Sequence, residues 1–338
     1  MRKSLNINLK SSVQSLLLVL SFGYILFFFI KNEDLLQTAF FIDFRILTAI
    51  LLLQFLFIVL QSLRFQIMIQ KCSGVKLPFG KWLKIFILGR FLNLMFNQIG
   101  NIYRSVQLKT KYGITYTRYI SVFTSMAWID TCINLLLAVV VVIVTNSSFQ
   151  IGVFVAWKIL SLLFFICLMG PILLEFALKR IHFKNSKLIW VHSKLFEVLR
   201  VTVANIRDPS FIGKIFGLGL LLFIRTIIAF QLYFLIFDTR APLAALVFFH
   251  AIFKLGFFIT LTPGNLGIQE ITWGFLSEQM NLGMEEGILI SGFSRVISSS
   301  VLIISGFTLG GMDLIRKRKI FKNTGVSDII DDISSIET

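Results

Sequence analysis

The chain has 338 residues, 56% hydrophobic and 15% charged, with 37 phenylalanines and a mean hydropathy of +0.84. Soluble domains of this size carry roughly a quarter of their residues as charged side chains, so a soluble fold is excluded, and the long unbroken apolar runs exclude the short alternating strands of a β-barrel. The net charge of +16 collects between the apolar runs rather than over one surface, which argues against a nucleic-acid partner and leaves an all-α integral membrane protein.

A span needs about 20 apolar residues. The first run, 12–30, follows Arg2, Lys3 and Lys10, lacks a small-residue cleavage site and continues through bulky Tyr24–Ile30, so it is expected to be a retained span rather than a signal peptide. Further full spans are expected at 45–69, 119–144, 151–174, 215–237 and 287–311. Two more apolar stretches, 79–103 and 243–280, contain breaks. In the second, Pro263, Gly264 and Gly267 interrupt the helix and Glu270 follows at once. Broken backbone at membrane depth survives only where protein or a wet cavity satisfies its polar groups, so this segment is expected to line a polar cavity.

Loop charge sets orientation. Lys and Arg number three in 1–10, four in 70–84, four in 104–118, eight in 175–214 and five in 312–322, or 24 of the 33 in the chain. These loops share the cytoplasmic side only if 79–103 enters and leaves on one face. Residues 264–286 carry four Glu and no Lys or Arg, so 243–280 is expected to enter from the outside. The expected architecture is about six full spans plus two broken re-entrant hairpins of opposite orientation, in a candidate inverted repeat, with both termini cytoplasmic. The competing arrangement is eight simple spans. Cysteine labels at Ser147, Ser186 and Ser277 are expected outside, inside and outside.

The halves echo each other. Gly100-Asn101 precedes Arg104, with Asp130 26 residues beyond it, and Gly264-Asn265 precedes Glu270, with Arg295 25 residues beyond it. Inverted repeats of this kind place their sites between the repeats near the midplane.

At these residues the chain resembles the lysylphosphatidylglycerol synthase transmembrane family, the flippase-like domain. The resemblance is carried by Asn93, Asn97, Gly100, Arg104 and Asp130 in the first half and by Thr262, Pro263, Gly264, Gly267, Glu270 and Arg295 in the second, and its layout runs from about residue 12 to 312. The chain departs from the pattern at Gln98, where relatives carry Pro, and at Ala127 and Trp128, where relatives often carry Arg. Some relatives join this domain to a cytoplasmic aminoacyl-transferase. The longest loop here, 175–214, is 40 residues, too short for one. The resemblance implies one transmembrane domain over 1–311, a basic then acidic cytoplasmic tail over 312–338, and a role in moving or handling membrane lipids without enzymatic chemistry.

The intramembrane charges agree with that role. Arg90, Arg104, Arg225, Lys254 and Arg295 lie in or beside apolar segments, at a cost of a few kcal/mol each. With Asn97, Asp130, Asn265 and Glu270 they are the expected substrate-binding set, forming a wet groove for a phospholipid or polyprenyl-phosphate headgroup. Several also have a plain structural reading, and Asp130 is expected to pair with a cation across helices. Glu270 and Arg295 are equally expected to be a buried bridge, Arg104 an interfacial contact, Arg64 and Lys158 snorkelling cations, and His250 a packing histidine.

Cys72, Cys132 and Cys167 lie far apart in sequence, and the three histidines have no ligand spacing. No metal or cofactor is expected, nor is nucleotide use by this chain. Gly213-x-x-x-Gly217 and Gly306-x-x-x-Gly310 are expected at close helix contacts. Residues 175–214 read as an amphipathic cytoplasmic segment on anionic lipid. The expected partners are membrane lipids, anionic headgroups and a glycan- or lipid-modifying enzyme. The alternatives are a small-solute transporter, an embedded polyprenyl-phosphate transferase and a non-transporting scaffold of an envelope enzyme.

Overall fold

A computed structural model of the protein describes residues 42–95, 99–180, 196, 208–237, 239–256, 268–279 and 283–310. The expected span 12–30, both helix breaks, nearly all of the loop after 180 and the tail from 311 lie outside them. The described chain is α1 (Phe44–Ser73), α2 (Phe79–Met95), α3 (Ile99–Tyr112), α4 (Tyr116–Asn146), a two-strand ribbon of β1 (Gln150–Ile151) and β2 (Phe154–Val155), α5 (Ala156–Arg180), α6 (Pro209–Leu235), α7 (Leu243–Gly256), α8 (Ile268–Gln279) and α9 (Met284–Thr308).

Local chemistry sets the helix ends. The Asp43 carboxylate accepts from Arg45 N at the start of α1, Thr115 Oγ1 from Arg118 N at the start of α4, and Asp208 from Phe211 N at the start of α6, where Pro209 takes the first-turn position. Gly74, in the left-handed region at φ 71°, closes α1. Five helices, α1, α4, α5, α6 and α9, are long and apolar enough to cross a bilayer. The protein is an all-α, multi-pass membrane protein. In contrast, α2, α3, α7 and α8 have 17, 14, 14 and 12 residues. At 1.5 Å per residue each is shorter than a hydrocarbon core of about 30 Å.

Contacts between distant elements fix which ends share a face. Lys71, near the end of α1, forms an ion pair with Asp208, just before α6. Lys71 together with the Phe211 N–H holds the Asp208 carboxyl below the usual carboxylate range. Among the described residues α4 and α5 are the two full crossings between those points, which agrees with 79–103 returning to the face it left. At the opposite face Phe237, just past α6, packs on Ile288 and Leu289 near the start of α9, so 238–283 also makes no net crossing. α6 lies between these two contacts, which places the hairpins on opposite faces, as the loop charges require.

Two helix pairs, α2–α3 and α8–α9, are tightly closed. Asn93 Oδ1 accepts from Gly100 N at 2.7 Å across the first break, and a Cβ on Gly100 would fall on the carbonyl oxygen of Gly89. α8 lies antiparallel on α9: a Cβ on Gly274 would come 2.8 Å from Ile288 Cγ1, and one on Gly287 2.7 Å from Ser277 Cβ. Small residues permit such approaches where lipid gives helices no hydrophobic drive to associate. Gly306 likewise admits Phe91, whose Cβ would lie 2.9 Å from an added Cβ. Gly213 has open space around it, as does Gly217. That motif therefore makes no close approach among the described residues, contrary to expectation.

Two apolar cores result. One joins the second half of α1 to α2, α3 and the first half of α4. The other gathers α4, α6, α7, α8 and α9, with Trp273 ringed by Phe230, Phe249 and Phe253 at 4.8, 4.2 and 5.9 Å between ring centres. Edge-to-face pairs of this kind add about 0.5–1.5 kcal/mol each. α5 sits at the periphery with Leu162, Phe165, Ile166 and Leu173 exposed, as lipid-facing side chains should be. Pro171 within α5 lacks an N–H, which removes the helical partner of the Cys167 carbonyl. Trp128 Nε1 of α4 donates to that carbonyl at 2.8 Å, so no acceptor is left open. The same contact brings Cys132 Sγ within 3.5 Å of Cys167 Sγ. Both thiols are free, and the 35 residues between them hid a pairing that only helix packing creates.

Candidate functional site

Three groups of buried polar side chains sit between these helices. The first is centred on Asp130 of α4, where the two cores meet. Arg64 of α1 donates from Nη1 to Asp130 Oδ1 at 2.6 Å, and Lys254 of α7 from Nζ to Oδ2 at 2.6 Å. One turn along α4, Asn134 donates from Nδ2 to Asp130 Oδ1 at 2.9 Å and to its carbonyl at 2.6 Å. Asn134 Oδ1 then accepts from His250 Nε2 at 2.7 Å. Spacings of four residues, 130 to 134 and 250 to 254, present both pairs on single helix faces. One carboxylate thus joins α1, α4 and α7. The expectation that Arg64 snorkels is corrected: it is 1% exposed. α1 continues to Ser73, past the expected end at 69, which moves Arg64 into the interior. His250 is the hydrogen-bonded packing histidine, set between Phe223 and Phe230.

The second group is Glu270 and Arg295. Arg295 Nε donates to Glu270 Oε1 at 2.9 Å and Nη2 to Gln269 Oε1 at 2.9 Å, and Glu270 is 1% exposed. The two residues are the buried bridge that the sequence left open, joining the start of α8 to the middle of α9.

The third group is cationic. Arg90 of α2, Arg104 of α3 and Arg225 of α6 converge on three phenylalanines. The Cζ atoms of Arg90 and Arg225 lie 5.2 and 4.9 Å from the ring centre of Phe57. Those of Arg90 and Arg104 lie 5.9 and 5.4 Å from Phe86, and Arg104 also lies 6.0 Å from Phe65. Cation–π contact of this kind gives about 0.5–2 kcal/mol each. Arg225 donates to the Leu53 carbonyl at 2.7 Å and to Gln54 Oε1 at 2.6 Å. Arg104 donates to the Gly100 carbonyl at 3.3 Å and to Asn101 Oδ1 at 2.5 Å. Those acceptors are neutral. None of the three forms an ion pair with a described carboxylate. Gly89 makes the arrangement fit, since a Cβ there would lie 2.7 Å from Arg104 Cγ. Arg104 and Arg225 are both buried, which corrects the interfacial reading of Arg104.

The expected set is therefore partly united. Arg90, Arg104 and Arg225 meet; Asp130 meets Lys254; Glu270 meets Arg295. Asn97 and Asn265 lie outside the described residues. The echo between the halves does not extend to pairing, because Arg104 turns to Asn101 while Asp130 takes Arg64 and Lys254. Sequence reasoning missed the site roles of Gln54, Arg64 and Asn134. For Asn134 and Arg64 the available signal was a polar residue at helical spacing from a known charge or deep in a longer helix. No group of three or more metal-ligating side chains occurs among the described residues.

Comparison with curated proteins and with solved structures found no match. The sequence profile of the lysylphosphatidylglycerol synthase TM region matches residues 13–306, nearly the whole sequence and both helical hairpins. The chain therefore belongs to the lysylphosphatidylglycerol synthase transmembrane-region family.

Proposed function

We propose that this protein moves a lipid with an anionic headgroup, a phospholipid or a polyprenyl-phosphate-linked glycan, across the plasma membrane, with both its termini in the cytoplasm. The observation that carries this is the arginine cluster. Three intramembrane cations with only neutral partners are costly, and an anion arriving from the bilayer removes that cost. The broken hairpins that reach in from opposite faces supply the polar interior through which a headgroup passes while its tails remain in lipid. The chain makes and breaks no bonds in this reading. Asp130 and Glu270 are each held by cations, so neither is poised as a general base. Its partners are the membrane lipids and an envelope enzyme that supplies or consumes the transported species.

The test is reconstitution. Purified protein in liposomes should move labelled anionic lipid between leaflets at least tenfold faster than protein-free vesicles and leave a zwitterionic lipid near background. Rates equal to empty liposomes across phospholipid and polyprenyl-phosphate probes would overturn the reading. Movement of a water-soluble anion, with no lipid movement, would favour a solute transporter.

Orientation has its own check. In a cysteine-free background, single cysteines replacing exposed Ser147 and Glu278 should react with an impermeant maleimide from outside, and one replacing Ser186 only after permeabilisation. Ser277, a natural first choice for the outer turn, is completely buried and should resist the reagent from either side. Reaction of position 186 in intact cells would invert the topology.

A further inference from the structure

The arginine cluster has a neighbour that the headgroup reading did not include. Tyr119 of α4 is 4% exposed, and its hydroxyl is a buried polar atom with no hydrogen-bond partner. Its ring packs on Phe65 at 5.9 Å between centres, the same phenylalanine over which Arg104 lies. The hydroxyl is within electrostatic reach of the Arg104 guanidinium, and Arg90 is within reach of both Arg104 and Arg225. A buried hydroxyl left without a partner is destabilising, and a ligand oxygen that meets it removes that cost. An orphaned hydroxyl near Arg104, in a cluster of three cations without a described carboxylate, is the complement of one ligand type, an anion with several acceptor oxygens.

Charge decides which anion. Like charges in a low-dielectric interior repel strongly, so the ligand that offsets most of the three charges gains most. A phosphodiester headgroup brings one negative charge and two free oxygens. A terminal phosphate brings about −1.5 to −2 at pH 7 and three acceptor oxygens, and a diphosphate brings more of both. Guanidinium groups grip such oxygens in bidentate fashion. Arg90 is half-buried, whereas Arg104 and Arg225 are buried, so Arg90 is the most accessible of the three. Resting on the anionic-lipid reading above, we propose that Arg90, Arg104, Arg225 and Tyr119 form a site for a terminal phosphate or diphosphate group, carried on a lipid, in preference to a phosphodiester headgroup.

The experiment uses the full chain in nanodiscs of zwitterionic phosphatidylcholine. Each preparation is doped with an equal fraction of phosphatidic acid, a long-chain polyprenyl monophosphate, a polyprenyl diphosphate or phosphatidylglycerol, and lipid retained on the protein is counted by native mass spectrometry. The three lipids with terminal phosphates should be retained at least tenfold more than phosphatidylglycerol. Tyr119→Phe, a conservative change, should lower that preference severalfold with the melting temperature unchanged or raised. Arg90→Gln should reduce retention of the terminal-phosphate lipids at least tenfold. Should Arg90→Gln fail to fold, Arg90→Lys keeps the charge and loses the fork, and it should still lower the preference. Inorganic pyrophosphate is the second arm. Displacement of the retained lipid only at large excess supports the lipid-borne ligand; equal binding with no lipid present assigns the site to soluble phosphate and overturns the lipid half of the proposal. Equal retention of phosphatidylglycerol and the terminal-phosphate lipids, or a preference untouched by both variants, overturns the whole. The outcome separates from transport. A preference with no leaflet exchange leaves the site standing and removes the translocase, whereas exchange with no preference does the reverse.

Discussion

Asp130→Ala should be the most damaging single substitution in the chain. It removes one carboxylate and strands two cations, Arg64 and Lys254, each 2.6 Å from it. It also takes an acceptor from Asn134, which holds His250 in turn. Breaking a buried ion pair by deleting one partner costs about 3–5 kcal/mol, and here two pairs share the lost partner. In detergent-solubilised protein, thermal unfolding monitored by intrinsic fluorescence should shift down by many degrees, or the variant should fail to accumulate in the membrane. Asp130→Asn, which keeps an acceptor and loses the charge, should fall between. The informative control is the triple change Asp130→Leu, Arg64→Met, Lys254→Met. Because desolvating charges is itself costly, an apolar replacement of the whole set should recover much of the lost stability. If Asp130→Ala melts like the parent, the carboxylate does not join α1, α4 and α7 in the way described.

The second large effect is steric. Gly100→Ala places a methyl group on the Gly89 carbonyl across the α2–α3 hairpin. The obstacle is backbone, not the end of a flexible side chain, so relief requires the two short helices to part. Overpacking of well-fitted interiors costs about 1–3 kcal/mol and sometimes more. Separation would also move Arg104, which lies against Gly89. The substitution should therefore lower the melting temperature and weaken anionic-lipid retention together. Gly80→Ala, at a position of the same hairpin with open space around it, should do neither. Equal behaviour of the two variants would show that the hairpin tolerates the methyl group and that the close approach has no structural role.

Much of the architecture could be read from charge placement alone. The basic segments 70–84 and 175–214 had to share a face, and the Lys71–Asp208 ion pair joins them. The acidic stretch around Glu278–Glu286 had to lie opposite, and Ile288 and Leu289 meet Phe237 there. Side-chain partners were harder to read, for a physical reason. A sequence shows which residues share a helix face, but not which helices touch. Asp130 was recognised as an intramembrane charge, yet its partners lie 66 and 124 residues away and depend on how α1 and α7 pack against α4. The Cys132–Cys167 contact was invisible for the same reason. Arg64 was misplaced because the run used to define its span stopped at 69, before Gln70 and Lys71, whereas α1 continues to Ser73. The Gln66 and Gln70 amides donate to the Leu77 carbonyl beyond the helix end. Tyr119 could not be singled out, since only the arrangement of Phe65 and Arg104 around it leaves its hydroxyl alone.

The proline in α5 and the indole that answers it bind two positions distant in sequence into one unit. The ring nitrogen of Trp128 donates to the Cys167 carbonyl that Pro171 leaves without its helical partner. A residue without an N–H or O–H donor at 128 would leave that carbonyl a bare acceptor facing hydrocarbon unless position 171 regained a backbone N–H. Among descendants of this sequence, chains that retain the proline should retain a side-chain donor on the neighbouring helix.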